Sequence, residues 1–429
     1  MLKKIFIILS SVVIILLLTL LFTPFHLFQN TLIDIVNKKE LGVKLRASKP
    51  ISYRLLSANE LLVEDLQLKV DGFEIDIEKI DLEIDPNSIF EDHLKFRKFD
   101  LIVKSLKEVD SQKEGKKKEL KKSAQTQKVK DEKNSQGRWQ KVTLSNAKIS
   151  VHEILLKKYK LNEISISSKE VEVSLKDLLV SGELSVSALT KSIVGEVNLT
   201  KKTNQSVKAT LDVKKLEEVL KIFKLENVNI YGDLRVDFTS SINKSNDFLK
   251  NPMSLAVNGK KLKWIGKDLD KILEAYIDSK KVGILDAAGF LTLGPIGILV
   301  AKGADLGNTG IRGIVKGETH IREVHVAVNL KDEVVKLEDV ALATKEHKVA
   351  LQGSIDLSKK VFEKFSIASV DEKGCSIFVQ KISGSLSDPE IGAVGSFMNE
   401  VFSPVTDIFN KGLSLVTDNC DGYYKGIVK

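Results

Sequence analysis

Six histidines and two cysteines are the residues from which metal or nucleophilic chemistry would have to be built. His320 and His325 lie five positions apart in an alternating apolar stretch. On a strand they point to opposite faces, so they cannot share a metal. His26, His93, His152 and His347 are isolated in sequence and read as exposed or structural. No His-Glu-x-x-His, Gly-x-Ser-x-Gly or Walker A pattern occurs. GFLTLGPIGILVAKG (289–303) is glycine-rich but lacks the Gly-Lys-Ser/Thr ending of a phosphate cradle. The acids of FEIDIEKIDLEID (73–85) alternate with apolar residues and read as the solvent face of a sheet. No catalytic, cofactor-binding or metal residue is assigned, and no enzymatic activity is expected.

The scaffold must then carry the function. Hydrophobic residues make up 43% of the 429 positions and charged residues 29%, which excludes a disordered chain. Aromatics are only 6%, which argues against stacked binding of single-stranded nucleic acid. The net charge of +8 is unevenly spread. Residues 104–138 hold 12 Lys/Arg and 6 Asp/Glu, a net of +6, leaving +2 for the rest. That stretch has no apolar period and reads as a charged, flexible insertion, with contact to anionic lipid headgroups as its functional alternative.

Lys3 and Lys4 precede 18 residues without a charge, 5–22. The run is long enough to span a bilayer. Its apolar members are Ile5, Phe6, Ile7, Ile8, Leu9, Val12, Val13, Ile14, Ile15, Leu16, Leu17, Leu18, Leu20, Leu21 and Phe22. It ends at Thr23-Pro24-Phe25, without the small-x-small site of a cleaved signal. An uncleaved anchor with a cytoplasmic N-terminus is therefore expected, with the bulk of the chain on the far side. Cys375 and Cys420 would then sit in an oxidising space. Either they form a disulfide, worth roughly 3–5 kcal/mol for a loop of about 45 residues, or they are two buried thiols.

Period-two alternation recurs through the chain. It places Phe73, Ile75 and Ile77 on one face, then Ile80, Leu82 and Ile84, with a turn at Asp85-Pro86-Asn87. It returns at Ile149 and Val151, Ile164 and Ile166, Val171 and Val173, Val236 and Phe238, and Val324, Val326 and Val328. One-sided alternation predicts antiparallel sheet with one apolar face. Helical period is rarer. Leu216, Val219, Leu220 and Phe223 share a face within 214–224, as do Leu269, Ile272, Leu273 and Tyr276 within 268–281. Phe397, Val401 and Phe402 suggest a terminal helix. The apolar block 282–303 is short for a span and reads as a buried helical pair with a Gly-Pro turn.

Four blocks in order carry a resemblance. They are ANELLVEDLQLKVDGFEIDIEKIDLEID (58–85), LDAAGFLTLGPIGILVAKGADLGN (285–308), VVKLEDVALATKEHKVALQGSIDL (334–357), and the tail pieces GCSIFVQKISGSLSDPEI (374–391) and NCDGYYKGIV (419–428). Together they resemble the bacterial AsmA-like family over nearly the whole chain, most strongly from about residue 280 onward. The charged stretch 104–138 departs from that pattern. The resemblance implies a single-pass protein of the Gram-negative cell inner membrane, with its bulk in the periplasm, contributing to outer-membrane biogenesis and lipid homeostasis. It is similar in architecture to chorein-type lipid conduits and brings no catalytic residues.

The expected fold is thus α+β and mostly antiparallel β: a transmembrane helix, then a long curved sheet forming a groove, with a few packed helices. The segments are the anchor (1–29), a strand-rich segment (30–103), the insertion (104–138), a middle sheet (139–260), and a C-terminal segment with helices and the cysteine pair (261–429). About 15–20 strands, spaced roughly 4.8 Å apart, would make a sheet some 70–95 Å long. Candidate groove residues are Phe73, Ile75, Ile77, Leu82, Val171 and Val173. The expected partners are phospholipid acyl chains and the inner membrane, and not nucleic acid. The rival function is a non-enzymatic assembly factor that binds outer-membrane protein strands at its sheet edges. The same alternation also describes an ordinary sheet-on-sheet core.

Overall fold

A computed structural model describes residues 43–47, 52–54, 60–70, 72–109, 139–157, 159–175, 177, 179–201, 204–222, 228–242, 248–274, 317–387, 389–391 and 422–429. The chain forms two compact units that divide between Val207 and Lys208. This boundary falls inside the stretch expected as a middle segment.

The first unit is built from β1 (Val43–Ala47), β2 (Ser52–Arg54), β3 (Glu60–Val70), β4 (Phe73–Ile84), β5 (His93–Glu108), β6 (Lys141–Leu156), β7 (Tyr159–Ser174), β8 (Val180–Ala188) and β9 (Ile193–Lys201). β1 and β2 both pair with β3, and from β3 to β9 each strand pairs with the next. The turn expected at Asp85-Pro86-Asn87 is present. Pro86 opens a short 3-10 helix, Pro86–Phe90, and the Asp85 carboxylate accepts the Asn87 N–H at 3.2 Å. Proline fits there because its missing N–H would have no helical partner at that position.

All these pairings are antiparallel except β5–β6, which is parallel. A parallel neighbour requires the chain to return along the strand, and a tight hairpin cannot do that. Sixteen residues of β5 rise about 50 Å. The charged connection between Glu108 and Lys141 makes this return. Strand β5 also runs to Glu108, so the first five residues of the charged stretch are sheet.

The second unit holds most of β10 (Gln205–Val213), then α1 (Leu216–Ile222), β11 (Asn229–Tyr231), β12 (Leu234–Ile242) and β13 (Met253–Ile265). A helical turn at 269–274 follows. Then come β14 (Glu318–Lys331), β15 (Val334–Ala343), β16 (Lys348–Asp356), β17 (Val361–Val370), β18 (Ser376–Gly384) and β19 (Pro389–Ile391). From β12 to β19 every successive pair is antiparallel. A bulge interrupts β16–β17 near Gly353, where φ is 120°. A Cβ there would meet the Lys364 carbonyl oxygen at 2.6 Å, so only glycine fits.

Both expected helices are present in their described parts. α1 carries Leu216, Val219 and Leu220 half-buried, and the 269–274 turn buries Leu269, Ile272 and Leu273. Mostly antiparallel sheet with few helices is therefore the architecture. Among the described residues no helix is long and apolar enough to cross a membrane. The anchor at 5–22, most of the charged stretch, the block 282–303 and the terminal helix at 397–402 lie outside the described residues.

Residues 422–429 close the second unit as a strap. Tyr424 and Val428 are buried against a floor of Ala341, Ala343, Ala350 and Ala368 on β15, β16 and β17. These alanines are small enough for a second chain segment to lie directly on the sheet. The Tyr424 hydroxyl donates to Asp339 Oδ1 at 2.7 Å and accepts the Val428 N–H at 3.0 Å. The Ile427 N–H donates to Asp339 Oδ2 at 3.0 Å. The Tyr424 N–H donates to the Gly374 carbonyl at 2.9 Å, next to Cys375.

Candidate functional site

Cross-strand register assembles one continuous apolar face in the first unit. One row runs Val63, Ile80, Leu101, Ile149, Ile166, Val186 across β3 to β8. A second runs Leu66, Ile77, Val103, Val151, Ile164, and a third Leu68, Ile75, Leu106, Ile154, Leu161. Directly opposed residues share a face, so these rows are the lining of one side of the sheet.

The face changes character along its length. Val63, Ile80 and Leu101 are 1%, 3% and 1% exposed. In the same row, Ile149, Ile166 and Val186 are only half-buried. The closed part spans β3, β4 and β5 and the near ends of β6, β7 and β8. The part over the rest of β6, β7 and β8 and over β9 is half-open, including Leu184, Val197 and Leu199.

The second unit presents a comparable face. Val236, Val257, Val326, Val340, Leu351 and Ile367 form one row across β12 to β17. All are half-buried except Val340, which is buried. Phe238, Leu255, Val328 and Leu337 form a second row, half-buried throughout.

The six groove candidates all fall on the apolar side of the first unit, and all six are buried. Phe73, Ile75, Ile77 and Leu82 lie on β4; Val171 and Val173 lie at the end of β7, where they join the core with Val142 and Val180. The half-open positions beside them carry the same alternation. No sequence signal separates the two sets, because the difference lies in what covers each strand.

The opposite, polar faces hold ion pairs and hydrogen bonds. Asp81 lies between Lys98, at 2.8 Å, and Lys79, at 3.0 Å. Burial pushes its carboxyl up, but hydrogen bonds from both lysines outweigh this and hold it below the usual range. His325 Nδ1 bonds Asn258 Oδ1 at 2.6 Å and its Nε2 lies 3.8 Å from Asp339. His320, by contrast, is exposed beside Glu318. His93 bonds Thr143 and His152 lies near Glu78. Burial, then the Asp339 carboxylate, pushes the Tyr424 hydroxyl up to about 12.

His347 is less isolated than its sequence position suggests. It meets Glu346 on the β15–β16 turn and Glu274 on the 269–274 helical turn. Hydrogen bonding to Glu346, then burial, raises the pKa of Glu274. Sequence could not find this grouping, because 72 positions separate Glu274 from Glu346. Cys375 is disulfide-bonded; the only other cysteine, Cys420, lies outside the described residues.

No protein-family model and no curated protein sequence matches this chain.

Proposed function

We propose that the chain is an inner-membrane-anchored periplasmic protein of AsmA-like type that binds or conducts phospholipid along its aliphatic sheet face. The observation that carries this reading is the half-open apolar lining over β6 to β9 and over β12 to β17. A soluble protein gains by closing such a surface, at about 25 cal/mol per Å² of apolar area removed from water. An extended aliphatic face that is left half-open suits an apolar ligand. Val, Leu and Ile give a smooth lining with no polar group to fix one position, which fits a sliding acyl chain. The disulfide at Cys375 supports an oxidising compartment, and the uncharged run 5–22 supports the anchor.

In this reading the buried candidates on β4 and β7 are the wall that holds the sheet in shape. The lipid contacts are the half-open positions, such as Ile166 and Val326. The test is native mass spectrometry of the full chain released from mild detergent. Phospholipid should co-purify with wild type and with Thr239→Asp, on the polar face. It should be lost from folded Val326→Asp and Ile166→Asp. A folded, lipid-free wild type refutes the reading and turns attention to protein clients of outer-membrane assembly.

A further inference from the structure

Neither the lipid face nor the strap uses the residues that meet beside the β15–β16 hairpin. The 269–274 helical turn is fixed in rotation by Leu269, Ile272 and Leu273, all buried. Its start is held by the Leu269 N–H on Thr319 Oγ1 at 2.8 Å and the Lys271 N–H on Asp268 Oδ1 at 3.1 Å. Asp270 and Glu274, four residues apart, therefore share one side of the turn. The hairpin that faces them is equally defined. Thr344 and His347 close it through the Thr344 N–H on the His347 carbonyl at 2.8 Å and the His347 N–H on Thr344 Oγ1 at 3.0 Å. The Thr344 hydroxyl donates to the Asp270 carboxylate, which ties the hairpin to the helical turn.

This leaves three groups converging. Ligand atoms of Glu274, Glu346 and His347 all lie within 4.8 Å of one another. Two carboxylates this close repel unless a proton or a cation lies between them. His347 Nε2 is shut off from solvent and has no hydrogen-bond partner. A nitrogen in that position costs free energy unless something satisfies it. One positive ion answers the first demand, and the imidazole beside the two carboxylates offers it a nitrogen donor.

We infer that Glu274, Glu346 and His347 form a binding site for a divalent transition-metal ion of the Zn²⁺ class. One imidazole nitrogen with two carboxylate oxygens is a zinc-type donor set, and water would complete four-coordination. The imidazole disfavours Mg²⁺ and Ca²⁺, which take oxygen ligands. Zinc needs its ligands at about 2.0–2.2 Å. Both glutamates are exposed on long side chains and can close that distance, while His347 is held by its turn. The bound ion would join the helical turn to the hairpin, adding a second link to the Thr344–Asp270 bond. It is independent of the lipid reading.

The test uses untagged, metal-stripped full chain, so that no added histidines compete. Isothermal titration with ZnCl₂ should give one site of micromolar or tighter affinity. Thermal unfolding should shift upward with Zn²⁺ and not with Mg²⁺ or Ca²⁺. Glu346→Gln and His347→Gln should each weaken binding at least about tenfold, since loss of even a group that only orients a ligand does so, and abolish the thermal shift. Circular dichroism of both variants reports whether they keep the fold. His320→Gln, on the same sheet but outside the cluster, should bind as wild type. Absence of binding at millimolar Zn²⁺, or binding unchanged in the folded variants, overturns the assignment.

Discussion

The apolar faces of the two units look alike in sequence and differ in what surrounds them. In the first unit, β3, β4 and β5 bury their alternate residues almost completely, with Phe96 at 0% exposure. In the second, the row from Val236 to Ile367 stays half-open over most of its length. Alternation therefore reports which side of a strand is apolar. It does not report whether that side is sealed. A sealed face stabilises the fold, while a half-open face leaves apolar area in contact with solvent.

The difference gives the largest expected effect. Phe96→Ala should cost about 3–5 kcal/mol, the range for removing a buried aromatic side chain. Val326→Ala, on the half-open face, should cost less than about 1.5 kcal/mol, since water or lipid can fill the space. Urea denaturation of both variants measures this directly. Equal costs would mean that the second unit's face is as closed as the first's, and the lipid reading would lose its support.

A second contrast lies within the second unit, between its aliphatic face and the alanine floor under the strap. Ala350 and Ala368 are both fully buried beneath residues 422–429. Ala368→Leu should cost about 1–3 kcal/mol by overpacking and should speed proteolysis of the C-terminal strap. Val349→Leu, on the aliphatic side of β16, should be close to neutral in the same assays. Strap cleavage unchanged in Ala368→Leu would show that the floor has room to spare.

Tyr424 adds a pH dependence to the strap. Its hydroxyl titrates at about 12 in the folded protein, against 10.0 for an ordinary tyrosine. Between these values the folded chain keeps a proton that the unfolded chain has lost. The contribution is therefore complete below about pH 10 and disappears as pH rises towards 12. Tyr424→Phe should remove this part of the alkaline loss, seen as a flatter stability profile between about pH 10 and 12 than wild type. It should also lower stability at neutral pH by about 1–3 kcal/mol, because Asp339 and the Val428 N–H each lose a partner. Parallel profiles for the two proteins would place the alkaline transition elsewhere.

Much of the sheet was legible in the sequence. Phe73 to Ile84, Val236 to Phe238 and Val324 to Val328 announced their strands by period two, and Leu269, Ile272 and Leu273 announced their helical turn by period 3.6. These are local patterns, fixed by backbone geometry. Nineteen strands are described, within the expected range. The parallel β5–β6 pairing was not legible, because parallel and antiparallel strands carry similar residues and only the connection differs. The meeting of Glu274 with Glu346 and His347 was invisible for a related reason. It depends on a helical turn docking beside a hairpin 70 residues later, and no periodicity encodes that.

The polar side of the first unit supplies the smallest expected effect and a check on the whole comparison. Asp81 is held by Lys98 and Lys79 on the solvent side of β4. Its carboxyl is below the usual range in the folded chain. Its stabilising effect is therefore complete above the unfolded value near 3.9 and is lost as pH falls through the folded value. Both lysines are exposed to solvent, so screening limits the gain. Asp81→Asn should cost less than about 1 kcal/mol at neutral pH, and less still in high salt. Acid unfolding of the variant should begin at nearly the same pH, because many other carboxylates share the load. Leu82, its neighbour one position along, faces the sealed side, and Leu82→Ala should cost about 2–5 kcal/mol. Two adjacent residues on one strand would then differ severalfold in their effect on stability. A loss at Asp81 as large as that at Leu82 would mean that the polar side, too, is covered, and that the first unit is sealed on both faces.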